Sequence, residues 1–266
     1  MYYAYDRHTI ELPAKLESTM AACAEKHPET HFYALVDSAF APEEVSALLA
    51  GTTSLQAISI YLDTPLQDFE ELSPILVQFP QDKAERQTVI AQWLALCNGK
   101  PMLSFVSSAL DIANLKQHFS AFLRLRDNHN QRYVLRFADV CMTADILECV
   151  QPEQKQAWLN GMHAWWLIGR DGGLQYLGGV EATPVIAKSN ENHDQRISNA
   201  QLLMLHQKNE ADCLLSYLHE SVPKLFTKHQ PSVLYRRTAE LLQQLNQQHV
   251  HDDSTRLEHV VTLLAA

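Results

Sequence analysis

Several side chains in this sequence are spaced so that chemistry could follow. Arg124, Arg126 and Arg136 fall close together, and guanidinium forks suit carboxylate and phosphate groups. With Asp37 they could form the anion-binding site of a hydrolase or transferase. The simpler reading is an internal ion-pair cluster, because Asp139 follows Arg136 by one turn and Asp37 ends an apolar stretch that can neighbour it. His27 and His31 have the i, i+4 interval of a helical metal pair. Pro28 interrupts them, however, and "HPETH" places no acidic general base correctly, so two exposed histidines at a helix-to-strand junction are expected. Cys141 and Cys149 are spaced wrongly for a zinc knuckle and read as core thiols. Asp37-Ser38 ends a strand-like run, a place where α/β enzymes keep catalytic groups, yet no serine lies in a Gly-x-Ser-x-Gly elbow. No glycine pattern cradles a phosphate, "GRDGG" at 169–173 reads as a turn, and the carboxylates lack catalytic or metal-loop spacing. The expectation is no catalytic residue, no cofactor and no metal.

The totals point the same way. A chain of 266 residues has enough apolar material for one large domain or two modest ones. Its net charge of −10 opposes a phosphate-backbone partner, so no nucleic-acid role is expected. No apolar run reaches membrane-spanning length, and "MYYAYDRHTIEL" lacks the profile of a secretory signal. A cytoplasmic protein with no membrane insertion is expected. Five scattered cysteines suit free thiols in a reducing compartment.

The elements that must position these residues alternate. A helix near 13–26 precedes the strand-like "HFYALVDSAF"; Pro42, Glu43 and Glu44 open a helix that Gly51 stops. "LQAISIYL" and "PILVQF" repeat the strand signal, and Val89, Ile90, Trp93 and Leu94 mark another helix. After the strand-like "PMLSFVSS", Ser108 with Asp111 suggests a capping box for the next helix. The alternation predicts an α/β domain with flanking helices around a mixed sheet, part of it parallel. "LRLRD" and "RYVLRF" form a hairpin, with Leu123, Leu125, Tyr133, Leu135 and Phe137 on one face and Arg124, Arg126, Val134 and Arg136 on the other. Asp139 is a natural N-cap for the helix that follows. In this reading Arg136 fastens the strand-to-helix corner to Asp139 and Asp37. A short helix starts at Pro152, and "HAWWLIG" and "LQYLGG" flank the hairpin turn Asp171-Gly172-Gly173.

Residues 1–180 thus form the α/β domain. The polar stretch 181–197 reads as a linker, and 198–266 as a small all-helical lobe with stripes at Ala211, Leu214, Leu215 and Leu218, at Leu234, Leu241, Leu242 and Leu245, and at Leu257, Val260 and Leu264. Trp165 and Trp166 are adjacent on one strand and must face opposite ways, so one is expected in the core and one at a contact surface.

The order of "YALVDSAF", "PILVQF", "GKPMLSFVSSALDIANLKQHFSAFLRLRD" and "RYVLRFADVCMTADILECVQPEQKQAWLNGMHAWWLIGRDGGLQYL" resembles the bacterial type VI secretion adaptor family, whose N-terminal domain was long catalogued as of unknown function. The most specific pieces are the Arg136-Phe137-x-Asp139 corner, the helix start "QPEQ" at 151–154 and the Asp171-Gly172 turn. The resemblance implies a cytoplasmic chaperone that holds a toxic effector and helps dock it on the valine-glycine repeat spike protein (VgrG), with no cofactor and no catalytic residue. An immunity-type protein that binds a toxin only to silence it is a further alternative. The expected contact surface is the helical lobe and its groove against the α/β domain, with Trp165, Trp166, Leu214, Leu218, Phe226 and Tyr235 as candidate partner-binding residues.

Overall fold

The computed structural model describes residues 4–52, 55–180 and 195–265. In chain order the first elements are α1 (Leu12–Lys26), β1 (His31–Asp37), α2 (Pro42–Gly51), β2 (Gln56–Ser59), β3 (Pro74–Gln78), α3 (Lys83–Leu96), β4 (Leu103–Ser108) and α4 (Ile112–Ser120). They are followed by β5 (Arg124–Arg126), β6 (Arg132–Val134), α5 (Val140–Cys149), α6 (Pro152–Leu159), β7 (Met162–Ile168) and β8 (Leu174–Gly178). The last are β9 (Gln195–Arg196), α7 (Asn199–Ser221), α8 (Pro231–Gln247) and α9 (Asp253–Ala265). The chain is α/β, with a helical C-terminal part after the sheet.

The main sheet runs β2-β3-β1-β4-β7-β8, and every neighbouring pair is antiparallel. This corrects the expectation of partly parallel pairing there. The crossover helices do join strands that point the same way, but another strand lies between each such pair. α2 links β1 to β2 across β3, and α3 links β3 to β4 across β1. A small second sheet, β6-β5-β9, contains the hairpin and one parallel pairing, Leu125 with Gln195 and Arg126 with Arg196.

Both faces of the four central strands, β3, β1, β4 and β7, are covered, which is why they read as continuous apolar runs. Tyr33, Leu35, Leu76, Val106 and Trp165 point to one side, against α4, α5, α6 and the hairpin residues Leu123, Leu125 and Leu135. Phe32, Ala34, Val36, Val77, Phe105 and Trp166 point to the other, against Leu12 and Leu16 of α1, Val45 of α2 and Trp93 of α3. The two tryptophans do alternate between faces, but both are buried, so neither is exposed for contact. The expected contact surface at one of them is absent because the α1–α3 layer covers Trp166.

Local chemistry sets the helix starts. Asp82, Asp111 and Asp139 each accept a backbone N–H within the first turn of α3, α4 and α5. Ser108 takes no part in capping α4: its hydroxyl donates to the Gly161 carbonyl and accepts from Leu110 N–H, tying β4 to the start of β7. The hairpin turn after β7 needs its glycine. Gly172 has φ +72°, and a Cβ there would meet the Arg7 carbonyl oxygen at 2.1 Å.

Residues 181–194, most of the expected linker, lie outside the described residues. Residues 195–197 form β9 and the buried Ile197. The helical part has its own core of Leu215, Leu218, Phe226, Leu234, Leu242, Leu245, Val260 and Leu264, which Ala4 from the N-terminal segment also enters. Leu205, near the start of α7, packs instead into the sheet-side core. Among the described residues no helix is long and apolar enough to cross a membrane.

Candidate functional site

An ion-pair cluster holds the strand-to-helix corner. β1 delivers Asp37 to the edge of the core, where its carboxylate accepts from Ala39 N–H at 3.2 Å. The segment after β6 carries Arg136 to it, with Nη2 at 2.8 Å from Asp37 Oδ2 and 3.8 Å from Asp139 Oδ2. Phe137, next in sequence, points inward and stacks on Phe119, with ring centroids 5.2 Å apart. The guanidinium also lies over the Phe40 ring at 5.2 Å. Two buried carboxylates thus share one half-exposed arginine. Burial raises the Asp37 carboxyl from its ordinary value, against the pull of Arg136. Asp139 is pushed up to about 6, first by burial and further by the Asp37 charge, while Arg136 and the Cys141 N–H pull it down. Arg136 is already committed to internal carboxylates; Arg124 and Arg126 are half-buried on β5.

A second constellation joins the sheet to the helical lobe. Arg170, in the turn after β7, donates from Nη1 and Nη2 to the two carboxylate oxygens of Asp212 on α7, at 2.8 and 2.6 Å. Its guanidinium carbon lies 3.5 Å from the centroid of the Tyr235 ring on α8 and 5.1 Å from that of Tyr5. Burial disfavours the Arg170 charge, but its partners more than offset this and raise its pKa. The N-terminal segment threads the same seam. Asp6 N–H donates to the Arg170 carbonyl, while the Asp6 carboxylate accepts from Ser232 N–H at the start of α8 and from the Ser232 hydroxyl. On α7, Lys208 donates to Asp145 at 3.2 Å and to Glu148 at 2.7 Å, both on α5. Farther along, Arg256 of α9 is 4% exposed and donates to Glu210, Asn246 and the Val250 carbonyl.

Between the lobes these residues leave a cleft of about 360 Å³, lined by Tyr5, Cys141, Asp145, Arg170 and Tyr235 among others. Burial raises the Cys141 thiol and the Tyr5 phenol well above their ordinary values, so neither is ionised for nucleophilic work near neutral pH. Of the candidate contact residues, Tyr235 lines this cleft. Leu214 lines a separate groove of about 350 Å³ with Cys213, Tyr217 and Leu257. Leu218 and Phe226 are core residues of the helical lobe, and with Trp165 and Trp166 they present little surface to a partner. The large exposed apolar residues of α7 are Leu203, Met204 and Tyr217, which lie off the inward stripe of the helix and so carry no periodic signal in the sequence. Arg170 and Asp212 were also missed: a turn explained the first, and the second is a charged neighbour of the buried Ala211.

His27 stacks on His163 of β7 with centroids 4.0 Å apart, and His31 Nδ1 lies 3.0 Å from Gln81 Nε2. These two histidines therefore have different neighbours and do not act as a pair. No group of three or more His, Cys, Asp or Glu side chains placed to hold a metal ion occurs among the described residues.

Residues 32–157 match the family model described as "Domain of unknown function (DUF4123)". The match covers a little under half of the 266 residues. No curated protein and no solved structure matches the chain. The DUF4123 stretch runs from β1 through most of α6, so it contains the whole Asp37–Arg136–Asp139 corner. Tyr5, Arg170, Asp212 and Tyr235, which make the seam, fall outside it.

Proposed function

We propose that the protein is a non-catalytic adaptor of bacterial type VI secretion: a cytoplasmic chaperone that binds a secreted effector and promotes its loading onto the VgrG spike protein. The observation that carries this reading is the DUF4123 match over residues 32–157, because that domain is generally linked to type VI effector adaptors. The resemblance of the Arg136-Phe137-x-Asp139 corner and the "QPEQ" helix start supports it. In this reading the matched domain is the scaffold, and the helical lobe clamped to it by Arg170–Asp212 supplies the effector-facing surface. The exposed Leu203, Met204 and Tyr217 of α7 fit that role better than the buried tryptophans.

The test is made in the bacterium that encodes the protein. Deleting the gene should abolish release of the effector encoded beside it while leaving release of other type VI cargo intact. Undiminished effector release would defeat the adaptor reading. Loss of immunity to the toxin, with release unchanged, would show that the protein silences a toxin instead.

A further inference from the structure

Residues 27–82 hold nine of the chain's 31 acidic residues and none of its 21 lysines and arginines, so nearly all of the net charge of −10 falls on this one stretch. It folds into β1, α2, β2 and β3, the end of the sheet where β2 is the edge strand. Asp63, Asp68, Glu70 and Glu71 stand exposed on the β2–β3 connection, and Glu43 and Glu44 on the first turn of α2. The short turns at 38–40 and 67–72 pack against each other, which brings both groups to one end of the molecule.

Amid these carboxylates Phe69 and Leu72 are 55% and 45% exposed. Their backbone is tied down. The Ser73 hydroxyl accepts from Tyr61 N–H at 3.0 Å and lies 2.9 Å from the Ser59 hydroxyl. Thr64 bonds back to the Tyr61 carbonyl and accepts from Leu66 N–H, and the Lys116 ammonium donates to the Leu62 carbonyl. Two large apolar side chains are therefore held in water by a fixed loop, beside an edge strand whose Gln56 and Ala57 are also exposed. The nearby cations are engaged, Arg136 with Asp37 and Lys116 with Leu62.

We propose that this face docks a lysine- or arginine-rich segment of a protein partner, which lays an apolar side chain against Phe69 and Leu72. The charge selects the occupant. Phosphate backbones and anionic lipid headgroups are repelled, and a second copy of this chain would bring the same acids against themselves. A cationic segment with an apolar anchor satisfies both halves of the surface: the carboxylates steer it in, and the Phe69–Leu72 patch retains it. The docking face needs nothing from the adaptor reading and is tested apart from it.

The probe is a random-peptide library displayed on phage and panned against the full chain, with the Phe69→Ser/Leu72→Ser double variant and the Glu70→Lys/Glu71→Lys double variant panned in parallel. All four positions are exposed, so both variants should melt with the wild-type chain. The expected result is a consensus rich in Lys or Arg around an aromatic or aliphatic residue. Recovery should be at least about tenfold higher on the wild type than on either variant, and binding should weaken as salt rises. No enrichment, an acidic or uncharged consensus, or equal recovery on the variants would overturn the proposal. So would sedimentation showing wild-type dimers that the Phe69→Ser/Leu72→Ser variant lacks, since the face would then serve self-association.

Discussion

At the residue scale, Asp139 carries a distinct pH signature. Its folded pKa of about 6 lies above the ordinary carboxyl value, so between roughly pH 4 and pH 6 the folded state holds a proton that the unfolded chain has released. Protonation thus favours folding, and this contribution is present at low pH and lost as pH rises through 6. Asn keeps the N-cap but cannot ionise. Asp139→Asn should therefore flatten the fall in denaturation free energy across that window by on the order of 1–3 kcal/mol, read from urea titrations at pH 4, 5, 6 and 7. Arg170–Asp212 gives a second expectation. Asp212→Ala leaves a guanidinium buried without its carboxylate and should cost about 3–5 kcal/mol, whereas the paired change Arg170→Met/Asp212→Leu should restore much of it. Equal losses in both variants would mean that the pair is more than a clamp. The Arg136–Asp139 pairing was legible beforehand because an arginine after a strand and an aspartate at a helix start sit one turn apart; Asp37, 99 residues away, entered only as the end of an apolar stretch that could neighbour them. Arg170 was not, because a Gly-rich turn explains its neighbours without requiring any role for the arginine itself.

At the scale of elements, the N-terminal segment is a strap between sheet and lobe. Asp6 and Thr9 bond to the turn after β7, and Asp6 also bonds to the first turn of α8. A side chain at Gly172 would strike the Arg7 carbonyl and would itself be strained at φ +72°. Gly172→Ala should lower stability by about 1–3 kcal/mol and speed hydrogen exchange at the Thr9 amide, whose bond to the Gly172 carbonyl is 3.1 Å long. Unchanged exchange there would separate the strap from the turn. Strands and helices were readable one by one, since each has its own cap and period. Their pairing was not. Two βαβ-like units predict parallel neighbours, yet each pair of parallel strands is split by an inserted strand, and nothing local in the residues of α2 or α3 encodes that insertion.

For the whole molecule, the DUF4123 stretch supplies four of the six strands of the main sheet and the corner, while the residues on either side of it add β7, β8, the clamp and the helical lobe. The adaptor account places effector binding on the outer side of that lobe. Removing residues 198–266 would be a poor test, because it would uncover the sheet-side core that Leu205 helps to close. Leu203 and Tyr217 of α7 are exposed, so substituting them should leave the fold intact. The decisive measurement is therefore co-expression with the effector encoded beside the gene, followed by size exclusion of the wild type and of the Leu203→Ser/Tyr217→Ser variant. The account predicts a stable complex with the wild type and at least about a tenfold loss of affinity in the variant, with melting unchanged. A wild-type protein that elutes alone while the effector is folded and present would contradict it.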